Sequence, residues 1–256
     1  VTGKQHRKRS TVDASRFFQQ PLFDTQTGWG QKIFPDADSA IEAKTLATGI
    51  EVLDESLAMQ GIPHGQITAL AASGTSGMTT LAYHIVANAQ QQTGQSVVYI
   101  NLDETFDFYY ASDCGIDLKY LLFVQPSSLG QALSIACDFI KETNIRLLIL
   151  DLGVQTQQVI NAEVQIYVEM LVRLVQSCSC ALICLLHNML SAVEALFITY
   201  ARLVLTLRWH QWLHYTGSQH NIIGCESQVT IVEKSDLPVT KIVTIPIYFR
   251  GVHLER

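Results

Sequence analysis

Short, wholly apolar runs alternate along this chain with stretches whose apolar residues recur every three or four positions. The alternation begins only after a polar start: residues 1–44 carry Gln, Asp, Gly and Pro with little periodicity. Phe17, Phe18, Leu22 and Phe23 form one short apolar face there, and Trp29, Ile33 and Phe34 follow beside Gly28 and Gly30, a composition suited to an arm that packs on something outside itself. From Leu46 the pattern predicts a buried strand at 66–71, a loop at 73–77 and a helix at 79–91 with Leu81, Ile85, Val86 and Ala89 on its inner face. Strands are predicted at 97–102, 146–151 and 180–186, with helices near 129–142 and 158–177 between them. Apolar strands alternating with amphipathic helices imply an α/β fold, a mainly parallel twisted sheet covered on both faces. The segments 203–208, 228–232 and 243–247 read as strands without helices between them, so antiparallel strands should extend the sheet at its end. The expected organisation is an arm at 1–44 and a core domain at 45–256.

Composition narrows the class. At 48% hydrophobic and 16% charged residues, the chain is too apolar to stay disordered and ample for a large core. No apolar run is long enough to span a bilayer, and the basic cluster Lys4, His6, Arg7, Lys8 and Arg9 is followed by no apolar signal region. The expectation is a soluble cytoplasmic protein. The six cysteines (114, 137, 178, 180, 184 and 225) sit mostly in apolar stretches. Cys178, Cys180 and His187 lack the paired spacing of structural zinc sites, so buried reduced thiols are expected. A net charge of −6 argues against a surface coated for nucleic acid, while the basic cluster at the start remains a candidate arm for phosphate or an acidic partner.

The strand–loop–helix at 66–91 is where a phosphate-binding loop would sit. Such a loop works by curling backbone N–H groups round phosphate oxygens at the positive end of the next helix. Its lysine reaches the terminal phosphates and its Ser or Thr holds magnesium. Here the window is Ala72-Ser73-Gly74-Thr75-Ser76-Gly77-Met78-Thr79, followed by Thr80. Gly77 and Thr79 stand where the pattern needs them, but Ala72 replaces the first glycine and Met78 the lysine. Losing one charge-assisted hydrogen bond costs about 1.5–3 kcal/mol of nucleotide affinity. Catalysis suffers more, because the same charge stabilises the transferring phosphoryl group. Asp151, closing an apolar strand, is a candidate carboxylate for a magnesium-bound water.

Several ordered fragments resemble the core of the bacterial RecA family. They are Leu46-Ala47-Thr48-Gly49-Ile50-Glu51-Val52-Leu53-Asp54 with 61–67, the stretch from Gly115-Ile116-Asp117-Leu118 through Gln125-Pro126 to Gly130-Gln131-Ala132-Leu133, and 221–229. The resemblance runs from about Phe17 to Val252 and implies a RecA-like P-loop NTPase core, with no counterpart of the family's small C-terminal domain. It implies ATP and magnesium as cofactors. Ser73, Gly74, Thr75, Ser76, Gly77, Met78, Thr79 and Thr80 then cradle the phosphates, and Thr79 and Asp151 serve magnesium. Asp107 and Tyr110 match the family's adenine-contacting aspartate and stacking tyrosine. His187 takes the position of the glutamine that senses the terminal phosphate. The catalytic glutamate position falls on Asp103, with Glu104 beside it.

The resemblance also exposes departures. Little room is left after Asp151 for a first DNA-binding loop, and 192–197 reads as helix where the family has a mobile loop. The paired interface lysines are replaced by Glu233-Lys234-Ser235-Asp236. Phe23, Trp29, Ile33 and Phe34 resemble the arm that docks on an adjacent protomer. These features favour a catalytically degenerate accessory or regulator of DNA repair, recombination or the SOS response. It would dock on a recombinase, a DNA polymerase or itself, with single-stranded DNA as a further candidate ligand. The alternatives are an active ATP-dependent recombinase with an atypical site, and a RecA-fold regulator unconnected to DNA. The Trp209, His210 and Trp212 cluster is expected to cover a sheet edge or hairpin turn, or to stack on bases or seat a partner.

Overall fold

The backbone of a computed structural model follows this alternation closely. The structure describes residues 45–72, 74–142, 145–153, 162–187, 191–214, 222–234 and 239–248. The arm residues Phe23, Trp29, Ile33 and Phe34 lie outside them, as do the basic cluster at 4–9 and Ser73.

A two-stranded ribbon, β1 (Thr45–Leu46) with β2 (Ile62–Pro63), brackets α1 (Glu51–Ser56). The main sheet then unfolds in chain order. β3 (Ile67–Ala72) leads to α2 (Met78–Thr93), β4 (Val97–Asn101) to α3 (Phe108–Asp113), and β5 (Leu121–Val124) to α4 (Leu129–Glu142). β6 (Leu147–Asp151), α5 (Ala162–Gln176), β7 (Ala181–Leu186) and α6 (Ala192–Tyr200) complete the parallel part. The chain then turns to β8 (Leu203–His214), β9 (Ile222–Glu233) and β10 (Val239–Tyr248). The eight strands lie in the order β10-β9-β8-β3-β7-β6-β4-β5. All pairs are parallel from β8 to β5, and the two at the other end, β8–β9 and β9–β10, are antiparallel.

The period-2 pleat explains why the central strands contain no polar face. In β7, Ala181, Ile183 and Leu185 join one core, while Leu182, Cys184 and Leu186 join the other. The first core is closed by α1 and α2, through Leu53, Leu81, Ile85 and Val86. The second is closed by α4, α5 and α6, through Leu133, Ala136, Leu171 and Phe197. Strands sandwiched between two helical layers must be apolar on both sides. In α5 the buried residues Val164, Val168, Leu171 and Val175 recur at the four-three-four spacing of one helix face. Among the described residues no helix is long and apolar enough to cross a membrane.

Two features set up the site. The parallel strands β3, β6 and β7 end together, which opens a crevice at their carboxyl ends. β8 pairs with β3 only through Leu207, so its second half, with β9, projects beyond the parallel sheet. The register of β8 against β9 shifts between Trp209 and Gln211. In a regular strand Trp209 and Trp212, three residues apart, would face opposite sides of the ribbon, and the extra residue of the bulge brings both to one side. Their rings lie 5.4 Å apart, each about half-exposed.

Candidate functional site: the phosphate loop and its sealed acid

The loop between β3 and α2 is shaped by two glycines in the left-handed region, Gly74 (φ 67°) and Gly77 (φ 78°). A Cβ on Gly77 would stand 2.7 Å from Cδ1 of Ile247, so β10 packs directly on the helix entry. β9 is stitched to the same loop, because the buried Ser227 hydroxyl donates to the Ser76 carbonyl at 2.7 Å. α2 starts at Gly77 with no side-chain cap and no acidic residue in its first turn. Its first N–H groups therefore have no partner within the helix, the arrangement that attracts an anion. One amide is withdrawn from that cradle: Ser76 N–H donates back to the Gly74 carbonyl at 3.0 Å.

The loop floors a cavity of about 290 Å³. Gly74, Thr75, Ser76, Gly77, Met78, Thr79 and Thr80 line it, joined by Tyr110, His187, Trp212 and Cys225. Nine of the residues expected from sequence thus converge. Met78 is only 5% exposed and packs into the α1–α2 core, so the position that a lysine would use to reach phosphate is an apolar plug. Tyr110 shares a 2.8 Å hydrogen bond with the Thr80 hydroxyl. Burial pushes the Tyr110 phenol up to about 12 against the opposing effect of that bond. Asp107 is not in the lining. Its carboxylate caps α3, accepting from the N–H groups of Tyr109 (2.9 Å) and Tyr110 (3.0 Å).

Asp151 ends β6 at 3% exposure and is not part of the cavity wall. The Tyr99 hydroxyl donates to its Oδ2 at 2.9 Å, and the Gly153 N–H donates to its Oδ1 at 3.1 Å. Nε2 of His187 lies 2.8 Å from the same Oδ1. His187 is held in turn by its backbone N–H, which donates to the buried Glu194 carboxylate at 3.0 Å. Burial alone would lower the His187 imidazole, but the hydrogen bond and charge of Asp151, with Asp103 and Glu194, raise it above its ordinary 6.5. Burial, then the Asp151 charge, raise the Tyr99 phenol well above its usual range. Tyr99 is held from behind by Tyr83 and Phe106, at ring distances of 6.1 and 4.8 Å.

Asp103 stands beside this network: a Cβ on Gly153 would fall 2.6 Å from its Oδ2. Its Oδ1 accepts from the backbone and hydroxyl of Thr105, and its backbone carbonyl accepts from Gln125. Glu104 is exposed, and neither acid lines the cavity. Lys234 and Glu233 at the family's interface-lysine position are also engaged within the chain, while Asp236 lies outside the described residues. Lys234 donates to the carbonyls of Ile198 and Thr199, closing the negative end of α6, and Glu233 accepts from Ala58 N–H at 2.8 Å. Two cavity residues escaped sequence reasoning in this role. Cys225 lies across from Trp212 in the ribbon, and Trp212 reaches the cavity only because of the β8 bulge.

A glycine-bearing loop and helix entry at the carboxyl end of a mostly parallel sheet, extended by antiparallel strands, define a RecA-like α/β core. Residues 23–206 match the profile of the RecA N-terminal domain, and the chain belongs to the RecA family. It is similar to protein RecA of Chlorobaculum parvum, 33% identical over 153 residues that cover 58% of this chain and 44% of that one. Protein RecA of Fusobacterium nucleatum subsp. nucleatum is 36% identical over 151 residues, 59% of this chain and 38% of that one. Protein RecA of Rhodospirillum rubrum is 36% identical over 113 residues, 44% and 31% of the two chains. The chain spans less than half the length of these curated relatives.

Proposed function

We propose that this chain is a non-hydrolysing accessory or regulatory member of the RecA family, acting in DNA repair and recombination. One observation carries the reading. The charged groups that phosphoryl transfer needs round a phosphate loop are replaced or turned inward: Met78 fills the lysine position, and Asp151 gives its carboxylate to Tyr99, His187 and Gly153. Catalysis of phosphoryl transfer is almost wholly positioning and charge stabilisation, so a site without these partners retains the cradle and loses the rate. The uncapped start of α2 still supports weak ATP binding, with Tyr110 as a wall for the nucleoside.

The protein acts by docking on a recombinase, a DNA polymerase or a copy of itself, through the arm that carries Phe23, Trp29, Ile33 and Phe34. Lys234 closes the end of this chain's own α6 and Glu233 holds the Ala58 N–H after α1, which supports a role that does not complete a neighbour's ATP site. The test is steady-state ATP hydrolysis with magnesium, with and without single-stranded DNA at low salt, beside co-sedimentation with a RecA filament. Turnover at background with retained co-sedimentation is expected. DNA-stimulated hydrolysis would replace this reading with that of an active, atypical recombinase.

A further inference from the structure

The family implies magnesium beside the nucleotide, and the residues present do not fit it. A magnesium ion in such a site keeps several waters and is bound through one or two carboxylates together with phosphate oxygens. Asp151 has the position but not the availability. Three of the roughly four acceptor sites on its two oxygens are filled from within the chain. His187 lines the cavity, and Asp151, bonded to its ring, does not. One acceptor site on Oδ2 is left, but the carboxyl is 3% exposed and does not open on the cavity, so reaching a metal's water would require the acid to move out from between Tyr99 and His187. Among the described residues no carboxylate contributes to the cavity wall, and neither does a lysine or an arginine. Among the described residues no three His, Cys, Asp or Glu side chains converge as a metal-holding group. Thr79 alone, one neutral oxygen, is too little to hold magnesium.

We infer that this cavity takes its nucleotide as a metal-free anion, held by the loop and helix amides and by the aromatic wall of Tyr110 and Trp212. The inference rests on the reading that the cavity still binds nucleotide, and it reverses the family's order of preference for the metal complex. A hydrated magnesium carried in on the phosphates would meet the apolar Met78 and the sealed His187–Asp151 pair. It would lose water and gain at most the neutral Thr79 hydroxyl, which does not offset the cost of dehydration.

The experiment is equilibrium binding of ATP to the full chain by calorimetry, once in buffer with excess EDTA and once with excess magnesium. Tryptophan fluorescence is followed in parallel, since Trp212 stands in the wall. The expected result is quenching on ATP addition, with affinity in EDTA equal to or tighter than in magnesium. A tightening of about tenfold or more on adding magnesium, about 1.4 kcal/mol, overturns the inference and leaves nucleotide binding intact. Absence of binding in both buffers overturns the inference together with the nucleotide-binding part of the proposed function.

Discussion

Nε2 of His187 stands 2.8 Å from Oδ1 of Asp151, and this contact closes the acid end of β6 away from the phosphate-loop cavity. The two residues sit at the ends of neighbouring strands, where Asp151 pairs with Leu185 in the β6–β7 register. Asp151 is thus fixed within the sheet, and His187, the residue just past β7, is held by its backbone N–H on Glu194. The contact bears directly on what restoring the lysine can achieve.

Replacing Met78 by Lys is expected to leave ATP turnover at background. The substitution supplies one missing charge, but Asp151 stays bonded to Tyr99, His187 and Gly153. It also places an ammonium where the side chain is 5% exposed, an unpaired buried charge that costs on the order of several kcal/mol. Combining Met78→Lys with Tyr99→Phe and His187→Ala releases two of the three contacts, and only that triple variant is expected to gain hydrolysis. A phosphate-release assay on the single and triple variants checks this. Turnover from Met78→Lys alone would show that the acid opens readily.

Tyr99→Phe should cost about 1.5–3 kcal/mol, the range for a hydrogen bond to a charged group. The ring packing on Phe106 and Tyr83 is kept, so little of the loss comes from a cavity. Urea unfolding of the two proteins gives the difference. A change below about 0.5 kcal/mol would mean that the hydroxyl is replaced at Asp151 by water, the upper end of what a conservative surface change produces.

Much of the fold was legible because its signals are local. The apolar run at 180–186 and the amphipathic stretch near 158–177 each belong to one element, and the structure places a strand at Ala181–Leu186 and a helix at Ala162–Gln176. β5 was missed: Leu121–Val124 is four residues long and half-buried at the sheet's edge, too short for a periodicity. The phosphate cradle was legible as a contiguous window. The seal on Asp151 was not, since Tyr99 reads as an ordinary strand aromatic and lies 52 positions away. The same limit applies to Lys234, whose partners at Ile198 and Thr199 are known only once β9 lies beside α6. The pairing of Trp209 with Trp212 depended on a one-residue bulge that no composition announces.

Stability should depend on pH through three histidines acting with opposite signs. Burial lowers His84, and burial with the Arg146 charge lowers His64, both from 6.5. As pH falls below 6.5 the unfolded chain takes up protons at these sites that the folded chain resists, so stability declines toward acid. His187 is raised, so its contribution is fully present below 6.5 and is lost as pH climbs through its higher folded value. His84→Phe is expected to flatten the acid limb of a Tm-against-pH curve, and His187→Gln the neutral-to-alkaline limb. An acid limb unchanged by His84→Phe would place the acid sensitivity in other groups.

Gly77→Ala should destabilise the chain by about 2–5 kcal/mol, in two parts that can be separated. The left-handed backbone at φ 78° costs an L-residue about 1–2 kcal/mol. The new methyl would also meet Cδ1 of Ile247 at 2.7 Å, an overpacking cost of about 1–3 kcal/mol. Ile247→Val removes the offending carbon at a cost of its own of about 0.5–1.5 kcal/mol. The double variant should therefore be less destabilised than the sum of the singles, by an amount equal to the steric part. A double-mutant cycle from urea unfolding measures that coupling. Strict additivity would mean that β10 shifts freely away from the phosphate loop, and the loop's shape would then rest on the Ser227–Ser76 bond and on its own glycines.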